Sequence, residues 1–175
     1  MDAEQHYQRR IGSRFDAFDQ DGNGYISRED FSTAAGAVLE EFGKRFRSDA
    51  GQALAGGAEA FWQGVAGIAD VDGDQRVTRQ EFVHGAVKRL RDNPERFAEI
   101  ARPFVRGVLL VADGDGDGRA TTAELRRVLG VLGVDAEAAA RAAESLDADG
   151  EGLVDEEQAV TAFARYFVTE EPAAE

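Results

Sequence analysis

Asp113-Gly114-Asp115-Gly116-Asp117-Gly118-Arg119-Ala120-Thr121-Thr122-Ala123-Glu124 carries a carboxylate at its first, third, fifth and twelfth places and a glycine at its sixth. Alternate oxygen side chains on a tightly turning loop are what a hard cation of Ca²⁺ size requires. Four carboxylates bent toward one point repel one another. At about 5 Å and an effective dielectric of about 20, each pair costs roughly 3 kcal/mol before relaxation. Protonation, spreading of the loop or a cation must relieve that cost. A merely solvated acidic turn is the alternative reading, and repetition of the pattern speaks against it.

The same run recurs three more times, as Asp19-Gln20-Asp21-Gly22-Asn23-Gly24, Asp70-Val71-Asp72-Gly73-Asp74 and Asp147-Ala148-Asp149-Gly150-Glu151-Gly152. The loops start at 19, 70, 113 and 147, so the spacings are 51, 43 and 34 residues. Self-similarity of this kind marks a repeated supersecondary unit. The coordinating places hold 14 carboxylates among 34 acidic residues, so much of the net charge of −14 sits where a cation would neutralise it.

Between the loops the apolar residues fall at helical spacing, and no strand pattern exceeds a few residues, so an all-α fold is predicted. Eight helices follow. The first runs from about Glu4 to Phe18 with Ile11, Phe15 and Phe18 on one face, and the second from Arg28 to Phe42 with Phe31, Val38 and Leu39. The long first spacing reads as a linker around Gly43 to Gly57, with Ser48 as an N-cap and a weak glycine- and alanine-rich start to a third helix ending through Phe61, Trp62, Val65 and Ile68. The fourth carries Phe82, Val83, Val87 and Leu90. Asn93 caps the fifth, with Pro94 in its first turn and Pro103 bending it. Leu125, Val128, Leu129 and Leu132 mark the sixth, Asp135 caps a seventh that ends at Leu146, and Val160, Phe163 and Phe167 mark the eighth. Thr169 to Glu175 reads as a frayed end. Phe15, Phe18, Phe31, Phe61, Trp62 and Phe82 read as core, and His6 and His84 as surface or hydrogen-bond-satisfied residues without a catalytic or metal role.

The loops resemble those of the EF-hand family. There, side-chain oxygens come from the first, third and fifth positions, a carbonyl from the seventh, an oxygen often through water from the ninth, and a bidentate carboxylate from the twelfth. The resemblance implies four helix-loop-helix units in two pairs packed into one globule: an N-terminal pair over residues 1–92 (loops 19–30 and 70–81) and a C-terminal pair over 93–175 (loops 113–124 and 147–158). Loop three then offers Asp113, Asp115, Asp117, the Arg119 carbonyl, Thr121 and Glu124. Loop one offers Asp19, Asp21, Asn23, the Tyr25 carbonyl, Ser27 and Asp30. Asp30 is one methylene shorter than glutamate, which favours six-coordinate binding and lets Mg²⁺ compete there. Loop two offers Asp70, Asp72, Asp74, the Arg76 carbonyl, Thr78 and Glu81, with Gln75 where glycine is expected. Loop four keeps Asp147, Asp149, Glu151 and Asp155 but has Gln158 at its twelfth place, so it is expected to be vacant or weak. Its eighth residue, Val154, can pair with Ala120 of loop three, as Ile26 can with Val77. Three filled Ca²⁺ sites are expected.

The absence of cysteine excludes disulfides, zinc thiolates and cysteine nucleophiles. Net charge of −14 argues against nucleic acid or an anionic membrane as the main partner. The first residues lack the apolar core of a signal peptide, so a cytoplasmic location is expected. Acid–base carboxylate pairs of a glycosidase or phosphatase need a cleft between scaffold elements, whereas these carboxylates sit at fixed offsets inside repeats, and no enzyme activity is expected.

The long first spacing, the closing Asp30 and the helix around Pro103 make the chain similar to the bacterial relatives of the sarcoplasmic calcium-binding proteins, the calerythrin family. The similarity is densest from Arg14-Phe15-Asp16 to Phe31 and from Glu95 to Glu124. It implies two EF-hand pairs packed face to face and a Ca²⁺ buffering or transport role; a monomer is expected. The chain departs from the family pattern in its intact second loop and in the lost glutamate of its fourth. A sensor would instead open an apolar groove for a target protein. Such grooves are rich in Met, and the only Met here is Met1. The buffer is the favoured expectation.

Overall fold

The computed structural model describes residues 15–16, 18–86, 94–133, 136–147 and 150–161. The expectations for Glu4 to Arg14, His6, Val87, Leu90, the Asn93 and Asp135 caps, Asp149, Phe163, Phe167 and Thr169 to Glu175 lie outside these residues.

Helix dominates. After residues 15–18, the order is β1 (Tyr25–Ile26), α1 (Arg28–Glu41), α2 (Asp49–Ala69), β2 (Val77–Thr78), α3 (Arg79–Glu81), a π-helical turn (Phe82–Ala86), α4 (Pro94–Ala112), β3 (Ala120–Thr121), α5 (Thr122–Val131), α6 (Ala136–Leu146) and β4 (Leu153–Val154). Residues 156–161 are again helical. Ser48 caps α2, its hydroxyl accepting from the Gly51 N–H at 3.0 Å. Pro94 opens α4, and the helix runs on through Pro103.

Two differences from the sequence reading are informative. The helix after loop two is not a continuous α-helix: Arg79–Glu81 passes into the π turn at Phe82–Ala86. The glycine-rich run is no weak start either, for it is where α2 and α4 touch. A Cβ on Gly57 would overlap the Pro103 carbonyl, and one on Gly107 would lie 2.6 Å from Leu54 Cα. Only residues without a side chain let two backbones approach so closely.

Among the described residues the helices enclose one hydrophobic cluster that draws on both halves of the chain. Phe15, Phe31, Phe61, Trp62 and Phe82 are buried in it, with Phe18 packed against it. Phe61 joins the two sides, its ring centroid 5.1 Å from Phe31 and 5.7 Å from Phe104. His84 is exposed, as expected. Among the described residues, no helix is long and apolar enough to cross a membrane.

The loops come together in pairs. Ile26 lies opposite Val77 in an antiparallel ladder, and Ala120 opposite Val154 in another. These four eighth-position side chains are fully buried. The pairing expected from the sequence is the one observed.

Candidate metal centres

The first aspartate of each loop holds the turn closed. Its Oδ2 accepts the sixth residue's N–H in all four: Asp19 from Gly24 at 2.9 Å, Asp70 from Gln75 at 2.9 Å, Asp113 from Gly118 at 2.7 Å and Asp147 from Gly152 at 2.8 Å. That bond requires the sixth residue to turn with positive φ. Gly24, Gly118 and Gly152 do so freely, and Gln75 is forced to φ 64°, a conformation costing a side chain about 1–2 kcal/mol.

The twelfth residue ties the two ends of the loop together. Glu124 accepts from Gly114 N–H at 3.2 Å and Thr121 N–H at 2.8 Å. Glu81 does the same with Val71 and Thr78, at 3.1 and 3.2 Å. Asp30, being shorter, reaches the third residue's N–H rather than the second's: Asp21 at 3.2 Å, with Ser27 at 2.8 Å. In loop four the Gln158 amide oxygen accepts from Asp155 N–H at 2.9 Å, and Gln158 N–H donates to Asp155 Oδ1 at 2.8 Å. This reciprocal cap starts the helix at residues 156–161 with a neutral amide in the twelfth place.

Ligand oxygens of Asp19, Asp21 and Asp30 lie within 4.8 Å of one another, as do those of Asp70, Asp72 and Glu81, and those of Asp113, Asp115 and Asp117. Asp74 and Glu124 stand outside these groups, Asp74 Oδ1 accepting from Arg76 N–H at 2.9 Å. The Thr78 and Thr121 hydroxyls accept from Glu81 and Glu124 N–H, each at 3.1 Å. The Ser27 hydroxyl is buried with no hydrogen-bond partner among the described residues. Tyr25 and Arg76, the seventh residues of loops one and two, stand side by side, the guanidinium 4.8 Å from the ring centroid. Arg119, the seventh of loop three, reaches across to Glu151 of loop four at 3.9 Å.

Electrostatics fit a cation. Asp30 is 1% exposed, and burial pushes its carboxyl up, with the Asp21 and Asp19 charges adding to the rise against the Ser27 and Asp21 N–H donors. At Asp113 burial works upward too, but the Gly118, Gly116 and Asp117 N–H groups and the Asp115 side chain hold it below the ordinary range. All-oxygen donor sets of this charge suit hard cations such as Ca²⁺ and Mg²⁺. In loop four, Asp147 Oδ1 is buried and has no hydrogen-bond partner among the described residues.

Sequence comparison matches residues 8–87 to the EF-hand domain pair. A calcium-binding protein of Streptomyces coelicolor, solved in work on prokaryotic calcium-mediated regulation, is 64% identical over 92% of this chain and 97% of its own, with a TM-score of 0.89. Calerythrin of Saccharopolyspora erythraea is 29% identical over 154 residues, 87% of each chain. A sarcoplasmic calcium-binding protein of amphioxus shares the fold at 16% identity, with a TM-score of 0.69 over 97% of this chain and 92% of its own.

Proposed function

Because the chain belongs to the bacterial EF-hand calcium-binding proteins of the calerythrin and sarcoplasmic calcium-binding protein family, we propose that it is a monomeric cytoplasmic Ca²⁺ buffer with three filled loops. Asp19, Asp21, Asn23, the Tyr25 carbonyl, Ser27 and Asp30 would hold the first ion. Asp70, Asp72, Asp74, the Arg76 carbonyl, Thr78 and Glu81 would hold the second. Asp113, Asp115, Asp117, the Arg119 carbonyl, Thr121 and Glu124 would hold the third. The unpartnered Ser27 hydroxyl supports the first set, since a buried polar atom without a partner is costly unless a ligand completes it. The short Asp30 makes this the loop where Mg²⁺ competes. Loop four, with a neutral Gln158, binds weakly at most and serves as the ladder partner of loop three.

The observation that carries the buffer reading is the single closed core. Phe15, Phe31, Phe61, Trp62, Phe82 and Phe104 are buried in one cluster, and α2 and α4 meet backbone to backbone at Gly57 and Gly107. Opening a groove there would break that packing. A regulatory role is the second reading, favoured by the Streptomyces relative's link to calcium-mediated regulation and by exposed Phe46 and Val71, 61% and 80% accessible. A fluorescent dye for apolar surface separates the two. The buffer gives little change in dye signal on adding Ca²⁺, and a large Ca²⁺-dependent rise would establish the regulator instead.

A further inference from the structure

The helix leaving loop three is fastened at its far end to loop one and to the helix leaving loop one. Arg127 in α5 donates from Nε to Glu41 Oε1 at 3.0 Å and from Nη2 to the Glu41 carbonyl at 2.9 Å. Its guanidinium also lies 4.3 Å from the Phe42 ring centroid. Glu41 ends α1 and Phe42 is its C-cap, where free carbonyls and the helix dipole favour a cation. At the C-cap of the same α5, the Leu132 carbonyl accepts from Gln20 Nε2 at 3.2 Å. Gln20 is the second residue of loop one.

The two helices so joined are the ones whose first turns carry the closing carboxylates, Asp30 in α1 and Glu124 in α5. The ladders join loop one to loop two and loop three to loop four. Neither joins one pair to the other. We propose that Arg127, with Gln20, couples loop one to loop three, so that filling loop three raises the Ca²⁺ affinity of loop one. The coupling rests on both loops being Ca²⁺ sites, as proposed above. With Glu124 committed to an ion, the start of α5 is fixed. The short rigid helix then holds Arg127 and Leu132 in register with Glu41 and Gln20, which pre-orders loop one. Reciprocity requires loop one to raise the affinity of loop three by the same factor. Arg127 and Glu41 side chains are 49% and 35% exposed, so the coupling is severalfold rather than hundredfold.

Calorimetric Ca²⁺ titration tests this in a full-length chain whose loop two is silenced by Glu81→Gln, with and without Glu124→Gln to silence loop three. With Arg127 present, Glu124→Gln should weaken loop-one binding by about fivefold or more. In Arg127→Ala the same change should shift loop-one affinity by less than about twofold, a difference that a purely structural role for Arg127 would not produce. Glu41→Gln, which alters the other helix, should reduce the coupling in the same direction and serves if Arg127→Ala folds poorly. Equal weakening with and without Arg127 would overturn the coupling. Absence of loop-one binding while loop three is intact would overturn the site assignment beneath it.

Discussion

In the metal-free chain Asp30 is a buried carboxylate with Asp19 and Asp21 beside it, and burial sets its pKa above the ordinary carboxylate value of 3.8. Between the unfolded value and that raised value, the folded chain keeps a proton that the unfolded chain has released. Stability of the metal-free fold therefore falls as pH rises through this window, and acidification restores it. Asp30→Asn should remove that part of the pH dependence in urea unfolding while abolishing Ca²⁺ binding at loop one. An unchanged pH profile would mean that Asp30 is not the group responsible. Gln75 poses the opposite problem, a side chain in a place that needs none, at φ 64°. Gln75→Gly should stabilise the chain by about 1 kcal/mol and tighten loop two, read by chemical denaturation and calorimetry.

At the scale of elements, α2 presents two neighbouring glycines in opposite settings. A Cβ on Gly57 would collide with the Pro103 carbonyl, whereas nothing lies within 4 Å of one on Gly56. Gly57→Ala should therefore lower the melting temperature, by about 1–3 kcal/mol of stability. Gly56→Ala should raise stability by about 0.5–1 kcal/mol through helix propensity alone. Equal effects would show that α2 and α4 do not meet as described. The contrast also marks what the sequence conveys and what it does not. Local signals were readable: the Ser48 cap, the helical faces of Phe31, Val38 and Leu39, and the pairing of Ile26 with Val77 and Ala120 with Val154. Each depends on residues a few places apart or on equivalent places in repeats. Close approach at Gly57 and Gly107 and the Gln20 and Arg127 bonds depend on partners far away in the chain. No local periodicity encodes them. The gathering of acidic side chains in loops one to three was legible, but not the different hold of Asp30, which its short side chain moves from the second to the third amide.

Over the whole molecule, two paired sets of loops are fixed to one core, and each loop has its own balance of charge and geometry. Repulsion among the carboxylates loads the metal-free fold, and Ca²⁺ relieves it, so each filled site adds stability that grows as RT ln(1 + [L]/Kd). Loops one to three have closing carboxylates, Asp30, Glu81 and Glu124, that already bridge the ends of the loop. Loop four has the neutral Gln158 in that place, bonded to Asp155. The proposed stoichiometry rests on that difference at the twelfth place. Calorimetric titration of the unaltered chain with Ca²⁺ should give three tight equivalents, and Gln158→Glu should add a fourth. Four tight equivalents in the unaltered chain, or only two, would contradict the assignment.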